Sequence, residues 1–311
     1  MKIGFIGLGL IGGSIARAVR YFYPDTEIIA HSRTRASVEQ AVADGVINRV
    51  IDQIDEDFSD CTYIFLCAPV SSNAKYLEQL KPLIGPDCII TDVGSTKTDI
   101  HEKVTALNME ANFIGGHPMA GSEKTGYANS KRILIENAYY MITPTEKTPQ
   151  KAVETYRDFV ASLKALPLVI DYHTHDYVTA AISHLPHIIA SSLVNLVKDE
   201  DTKDGIMKLV AAGGFKDISR IASSSPEMWE QICMSALQHQ ETEWTLPLAV
   251  LTWWMPSVRP SKTKMWYHRT AWILPTVPQK SLKHCSLETE RYMKSIRTSR
   301  EAAWRQSYGY L

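Results

Sequence analysis

Lys2-Ile3-Gly4-Phe5-Ile6-Gly7-Leu8-Gly9-Leu10-Ile11-Gly12 is the stretch that decides the fold. A short apolar run passes directly into G-x-G-x-x-G, and helix-type spacing of apolar residues continues to Phe22. Strand, glycine loop and helix in that order open a βαβ unit, and in that setting the motif marks a dinucleotide phosphate loop. Gly7 permits the tight turn, Gly9 lets a pyrophosphate approach the backbone, and Gly12 lets helix and strand pack closely. Leu10 and Ile11, inside the same glycine loop, are expected to contact the cofactor, whose phosphate meets the N-terminus of the helix that follows. The glycines recurring through this run also argue against a secretory leader, whose apolar core has no use for them.

Working outward, strands are expected over Glu27–His31, Thr62–Cys67 and Cys88–Thr91, with helices over 12–22, 34–44, 72–81 and 98–107. Thr62–Cys67 is continuously apolar, as a strand covered on both faces must be. Further strands at Asn112–Ile114, Tyr139–Ile142 and Leu168–Ile170, with a helix over 149–163, carry the alternation to residue 170. Such alternation predicts an α/β Rossmann-type doubly wound parallel sheet in a dinucleotide-binding domain, residues 1–170. Helices then take over. Tyr177–Val197 is apolar nearly all round, which requires burial in a bundle or against a second subunit, and Pro186 should kink it. A helix near 203–211, a turn at Gly213-Gly214-Phe215 and a helix from Pro226 complete an all-α domain, 171–233.

In an open parallel sheet, ligands lie beyond the carboxyl ends of the strands. At the second strand's end an Asp or Glu would bind the 2′-hydroxyl of NAD, but the sequence offers His31-Ser32-Arg33. Ser32 can donate to a 2′-phosphate and Arg33 can pair with it, which favours NADP over NAD. Ala68 and Pro69 follow the third strand and should border the nicotinamide ribose. His117 is placed just past a strand end, between glycines, with Pro118 holding it extended. An imidazole titrates near neutrality, so it can take a proton from a substrate hydroxyl as hydride leaves. Ser95 either hydrogen-bonds that hydroxyl or caps the next helix. Asp92 braces the loops. His173, His175, His184 and His187 suggest a metal site only superficially, because no carboxylate or cysteine completes a ligand set, and no metal is expected.

The bulk properties are those of a soluble globular chain. Hydrophobic residues make up 45%, charged residues 22%, and net charge is −1, which gives no electrostatic case for nucleic acid or a membrane surface. Five scattered cysteines read as free thiols in a reducing, cytoplasmic compartment. No stretch reads as long and apolar enough to span a membrane. After Met234 the composition changes: six of the seven tryptophans lie there, no Asp follows Asp217, and prolines interrupt every candidate helix between 247 and 278. Local propensity and pattern agree on no fold in 234–311, so we read this segment as a frameshifted or poorly ordered addition. An intact frame across codons 230–240 in independent isolates would overturn that reading.

Gly115-Gly116-His117-Pro118-Met119-Ala120-Gly121-Ser122-Glu123 resembles the signature of the prephenate dehydrogenase family. Asp92-Val93-Gly94-Ser95, Ser183-His184-Leu185-Pro186-His187 and Gly213-Gly214-Phe215-Lys216-Asp217-Ile218-Ser219-Arg220 resemble its other motifs, in order, over about residues 1–233. The resemblance implies oxidative decarboxylation of prephenate to 4-hydroxyphenylpyruvate, in tyrosine biosynthesis, by a homodimer using NAD or NADP. It implies that His117 and Ser95 are catalytic, that Arg220 anchors a substrate carboxylate with Lys216 on the same helix face, and that His184 stands at the substrate site. Ser122 and Glu123 would line or gate the pocket. Arogenate dehydrogenase differs only in the substrate side chain and stays open. So does a sensor that binds NAD(P) without turnover, although it would need no proton acceptor. A β-hydroxyacid dehydrogenase would use a catalytic lysine instead, and the His117 loop argues against it.

Overall fold

The structure, a computed structural model, describes residues 1–122 and 124–238, so Glu123 and the anomalous segment beyond Gln238 lie outside the described residues. The chain divides into two compact units, with the boundary in the sequence between Asp176 and Tyr177.

The first unit holds a five-stranded parallel sheet in the order β3-β2-β1-β4-β5. Its strands are β1 (Lys2–Ile6), β2 (Glu27–His31), β3 (Arg49–Val50), β4 (Tyr63–Leu66) and β5 (Ile89–Asp92). Side chains alternate between two cores, because successive residues of a strand face opposite sides. Ile3, Phe5, Ile28, Ala30, Tyr63 and Phe65 enter one core, with residues of α1 (Leu10–Phe22), α2 (Arg35–Ala43) and α5 (Gln150–Ser162). Ile6, Ile29, Ile64, Leu66 and Ile90 enter the other, with residues of α3 (Val70–Leu80) and α4 (Thr98–Ala106). Burial of both faces is why the strands read as unbroken apolar runs.

The expectation of one parallel sheet through residue 170 needs correction. β6 (Ile114–Pro118), β7 (Tyr139–Pro144) and β8 (Leu166–Val169) form a separate three-stranded sheet in which β6 and β7 are antiparallel. β6 follows β5 in parallel through a single bridge, Ile90 to Phe113. Pairing stops there because the next donor, Gly116 N, is taken by the Asp92 carboxylate at 3.2 Å. Among the described residues between β6 and β7 there are only short 3₁₀ turns, and a connection without a crossover helix returns the chain antiparallel.

The described part of the second unit is helical. A π-helical turn, Ala180–His184, follows α6 (Tyr172–Thr179) and leads into α7 (Leu185–Glu200). The π-helical turn lies directly before Pro186, which falls in the first turn of α7, and such a turn is one way a helix makes room for a proline that cannot donate to the preceding carbonyls. By length and composition, 172–200 is long and apolar enough to cross a membrane, contrary to the sequence reading. Within it Leu185, His187, Ala190 and Val194 are buried. Ile182 and Ile189 on the same stretch are exposed. After α8 (Ile206–Val210), α9 spans Gly213–Ile221, and Phe215 and Ile218 of α9 pack on Ala190 and Val194 of α7. Gly213 and Gly214, read from sequence as a turn, are the first residues of α9. α10 (Pro226–Gln238) begins at the expected proline.

Candidate active site

The glycine loop joins β1 to α1 with the geometry its spacing requires. Gly7 has φ +90, and a Cβ there would lie 2.6 Å from Ala68 N. At Gly12 a Cβ would meet Gly7 O at 2.7 Å. Gly9, by contrast, faces open space and precedes α1 with no side-chain cap. Uncapped first-turn N–H groups above a residue with no Cβ make a cradle for an anion, so this loop fits a dinucleotide pyrophosphate. Ala68 and Pro69 border the same loop, directly after β4. At the end of β2, Ser32 Oγ accepts a bond from Thr34 N (3.3 Å), and its hydroxyl proton can be donated elsewhere. Arg35 is held by Glu39 and Asp52, whereas Arg33 is exposed and has no ion pair among the described residues.

His117 belongs to β6 itself rather than lying past its end, paired with Met141. Gly115 and Gly116 before it have no room for a side chain. A Cβ on Gly115 would sit 2.2 Å from Thr143 Oγ1, and one on Gly116 would sit 2.7 Å from Asp92 O. The contact is tight because Asp92 reaches over to this strand. Its Oδ1 accepts from Gly116 N and its Oδ2 from Gly94 N at 2.9 Å. Oδ2 also binds the ammonium of Lys97, and both charged side chains of this pair are excluded from water. Ser95 lies half-buried in the loop between β5 and α4, and Lys97 rather than Ser95 occupies the cap position of α4. The capping alternative for Ser95 therefore falls away. Ser122 is exposed and accepts from Lys124 N at 2.9 Å.

His117 meets His175, which the sequence suggested only as a metal ligand, and His175 in turn meets Asp176, which the sequence did not single out. His117 Nδ1 lies 2.8 Å from Nε2 of His175, 58 residues away. His175 Nδ1 in turn lies 2.7 Å from Asp176 Oδ1. Asp176 is anchored at the start of α4: Oδ1 accepts from Lys97 N (2.8 Å), and Oδ2 accepts from Thr98 N (2.9 Å) and Thr98 Oγ1 (2.7 Å). Burial alone would raise the Asp176 carboxyl, but the bonds from His175 and Thr98 outweigh it and bring the carboxyl down to about 2. Asp176 is therefore a carboxylate throughout the neutral range. Burial pushes the His175 imidazole below its ordinary value, against the pull of Asp176.

A third histidine in this unit is structural. His101 is buried, stacks on Tyr172 with ring centroids 4.3 Å apart, and meets Thr143 Oγ1 through Nε2 at 3.0 Å. Burial, reinforced by the Lys97 cation, lowers it to about 4. Its folded value lies below the unfolded value of about 6.5, so its contribution to stability is complete above about pH 6.5 and is lost as pH falls toward 4. We expect His101→Gln to flatten the fall in urea midpoint between pH 6.5 and 4.5. His187 in the second unit is also lowered to about 4, mainly by burial, and keeps part of the slope. An unchanged slope in the variant would contradict the assignment.

In the second unit His184 is buried in the π-helical turn. Its ring meets Trp229 edge-on, while His187 stacks flat on the same indole with centroids 3.5 Å apart. Lys216 and Arg220 both lie on α9, four residues apart, and both are exposed. That spacing places them on one helix face.

Comparison with known proteins agrees with this anatomy. The family model "Prephenate dehydrogenase, nucleotide-binding domain" matches residues 15–168, and "Prephenate dehydrogenase, dimerization domain" matches 171–245. The prephenate dehydrogenase of Bacillus subtilis is 42% identical over 233 residues, covering 73% of this chain and 62% of that protein's own length. Among solved structures, prephenate dehydrogenase from A. aeolicus in complex with hydroxyphenyl propionate and NAD+ superposes with a TM-score of 0.75 at 26% identity, covering 97% of this chain and 98% of that one. Synechocystis arogenate dehydrogenase gives 0.68 at 30% identity, covering 87% and 98%. With both domain families matched in order, and a relative of 30% identity covered almost throughout, the chain belongs to the prephenate dehydrogenase family.

Proposed function

We propose that the chain oxidises and decarboxylates prephenate to 4-hydroxyphenylpyruvate, in the cytoplasm, as a step toward tyrosine. The observation that carries this reading is the presence, within one unit, of the Gly7–Gly12 cradle and of a histidine on β6 whose Nδ1 is held by His175. The bound nicotinamide supplies the hydride acceptor. His117 takes the proton of the ring C4 hydroxyl as hydride departs, and Ser95 hydrogen-bonds the same oxygen. Carbon dioxide then leaves as the ring becomes aromatic, and His117 returns its proton to the phenolate oxygen. Oriented acid–base help of this kind contributes about 10²–10⁴-fold in rate.

Prephenate is a dianion. Arg220 is assigned to one carboxylate, since a guanidinium binds it bidentately, with Lys216 beside it on α9. His184, Ser122 and Glu123 are assigned to the substrate pocket on the family resemblance. The exposed apolar residues of the long helix, Tyr177, Ile182 and Ile189, fit a homodimer interface, in keeping with the dimerization-domain match. Arogenate is a second reading, favoured by the similarity to the Synechocystis enzyme. Stoichiometric release of carbon dioxide and reduced nicotinamide from each substrate tests the proposal and separates the two.

For the cofactor, Ser32 and Arg33, which is exposed and has no ion pair among the described residues, favour NADP. Arg33→Ala is expected to weaken NADP about tenfold, the equivalent of ~1.4 kcal/mol, and to leave NAD unchanged. Equal NADP affinity in variant and parent would remove the case for the phosphate contact.

A further inference from the structure

We propose that Asp176 and His175 form a positioning relay that fixes His117 as its Nδ1–H tautomer, so that Nε2 is the nitrogen that accepts the substrate proton. The role of His117 rests on the reading given under Proposed function; the tautomer does not.

An ionised carboxylate only accepts hydrogen bonds. Asp176 Oδ1, 2.7 Å from His175 Nδ1, therefore requires a proton on that nitrogen. In neutral His175 the second nitrogen, Nε2, is then an acceptor. It stands 2.8 Å from His117 Nδ1, and two lone pairs cannot face each other at that distance, so His117 Nδ1 carries the proton. Neutral His117 is left with its lone pair on Nε2. The anchor is stiff, because Asp176 is tied to the first turn of α4 by two backbone N–H groups and the Thr98 hydroxyl.

The charged groups around His175 support its neutral form. Besides Asp176 on its own helix, Lys97, Asp92 and His101 act on it from β5, α4 and the loop between them, and His117 faces it from β6. Lys97 and burial disfavour an imidazolium, and Asp176 favours it. When His117 takes the substrate proton, its new positive charge is stabilised through His175 by the Asp176 carboxylate. The proton stays on Nε2, ready to return to the phenolate oxygen. A buried carboxylate that sets the tautomer of a catalytic histidine is worth up to about 10⁴-fold in kcat in hydrolases that use the same logic directly.

Two measurements test the relay. Long-range ¹⁵N–¹H correlation on the full chain with ¹⁵N-labelled histidine, the His117 signals being identified by their loss in His117→Gln, reads the tautomer without any assay. The expected result at pH 7.5 is a protonated Nδ1 and an unprotonated Nε2. A protonated Nε2 overturns the relay, whether or not the enzyme turns over. In the second measurement, Asp176→Asn and His175→Gln are expected to lower kcat by about 10²–10⁴-fold, while KM and cofactor affinity change by no more than about threefold. The acidic limb of the kcat–pH profile should move to lower pH, because His117 holds its proton less tightly without the carboxylate. Loss of KM and cofactor affinity together, with an unmoved acidic limb, would mark a structural role and contradict the proposal. An Nδ1–H tautomer in a chain that turns over neither prephenate nor arogenate would leave the relay standing and remove the catalytic reading.

Discussion

His117→Ala is expected to lower kcat by about 10²–10⁴-fold while leaving the dissociation constant of the dinucleotide unchanged. The split follows from where the residue sits. His117 is on β6 in the second sheet, whereas the cradle is built from Gly7, Gly9 and Gly12 against Cys67 and Ala68. No backbone bond of the cradle passes through β6. On the proposed mechanism the imidazole takes the C4 hydroxyl proton as hydride leaves, so its removal should cost the chemical step rather than ground-state binding. Stopped-flow hydride transfer with saturating substrate, together with a fluorescence titration of cofactor, measures the two halves separately. Unchanged turnover would remove His117 from the mechanism. Turnover and cofactor binding lost together would mean that the histidine supports the fold, and a chain that binds dinucleotide with no turnover in the parent would favour the sensor reading.

Lys97→Met should cost about 3–5 kcal/mol of stability, the range found when one partner of a buried ion pair is removed. Lys97 and Asp92 have side-chain exposures of 0% and 2%. Methionine fills much the same volume, so the penalty is electrostatic: the Asp92 carboxylate stays buried without its cation. Asp92 cannot turn away to water, because Gly94 N and Gly116 N hold it between β5 and β6. The same carboxylate that positions the His117 strand thus becomes the liability. Urea unfolding at pH 7.5 measures the loss, and raised activity loss on mild heating should accompany it. A change below about 1 kcal/mol would mean that the site readily admits water or a proton in place of the lysine.

Much of the dinucleotide unit could be read from sequence. Glycine spacing, apolar runs and helical periods all point one way between Lys2 and Leu80, and α1, β2, α2, β4 and α3 follow the expected ranges to within a few residues. β3 was missed because two residues carry no period. β6 was cut short at Ile114 because Gly115 and Gly116 have low strand propensity, yet both are there because neighbours leave no space for a Cβ. The antiparallel turn into β7 has no local signal, since direction depends on what the connection lacks. His117 and Asp92 stood out through their loops, whereas Lys97 did not, because a lysine is read as solvated until its partner is seen. His175 and Asp176 gain their meaning only from a contact 58 residues away in sequence. In the helical unit, the chemistry of Pro186 was recognised but its accommodation by a π-helical turn was not, because the turn lies in the residues before it.

Coupling of hydride transfer to decarboxylation of prephenate is directly measurable in this chain. Purified chain should be incubated with prephenate and with arogenate, each with NAD and with NADP, following absorbance at 340 nm and identifying the products. Reduced nicotinamide and 4-hydroxyphenylpyruvate are expected in equal amounts from prephenate. Cofactor that binds but is not reduced by either substrate would contradict the proposed activity.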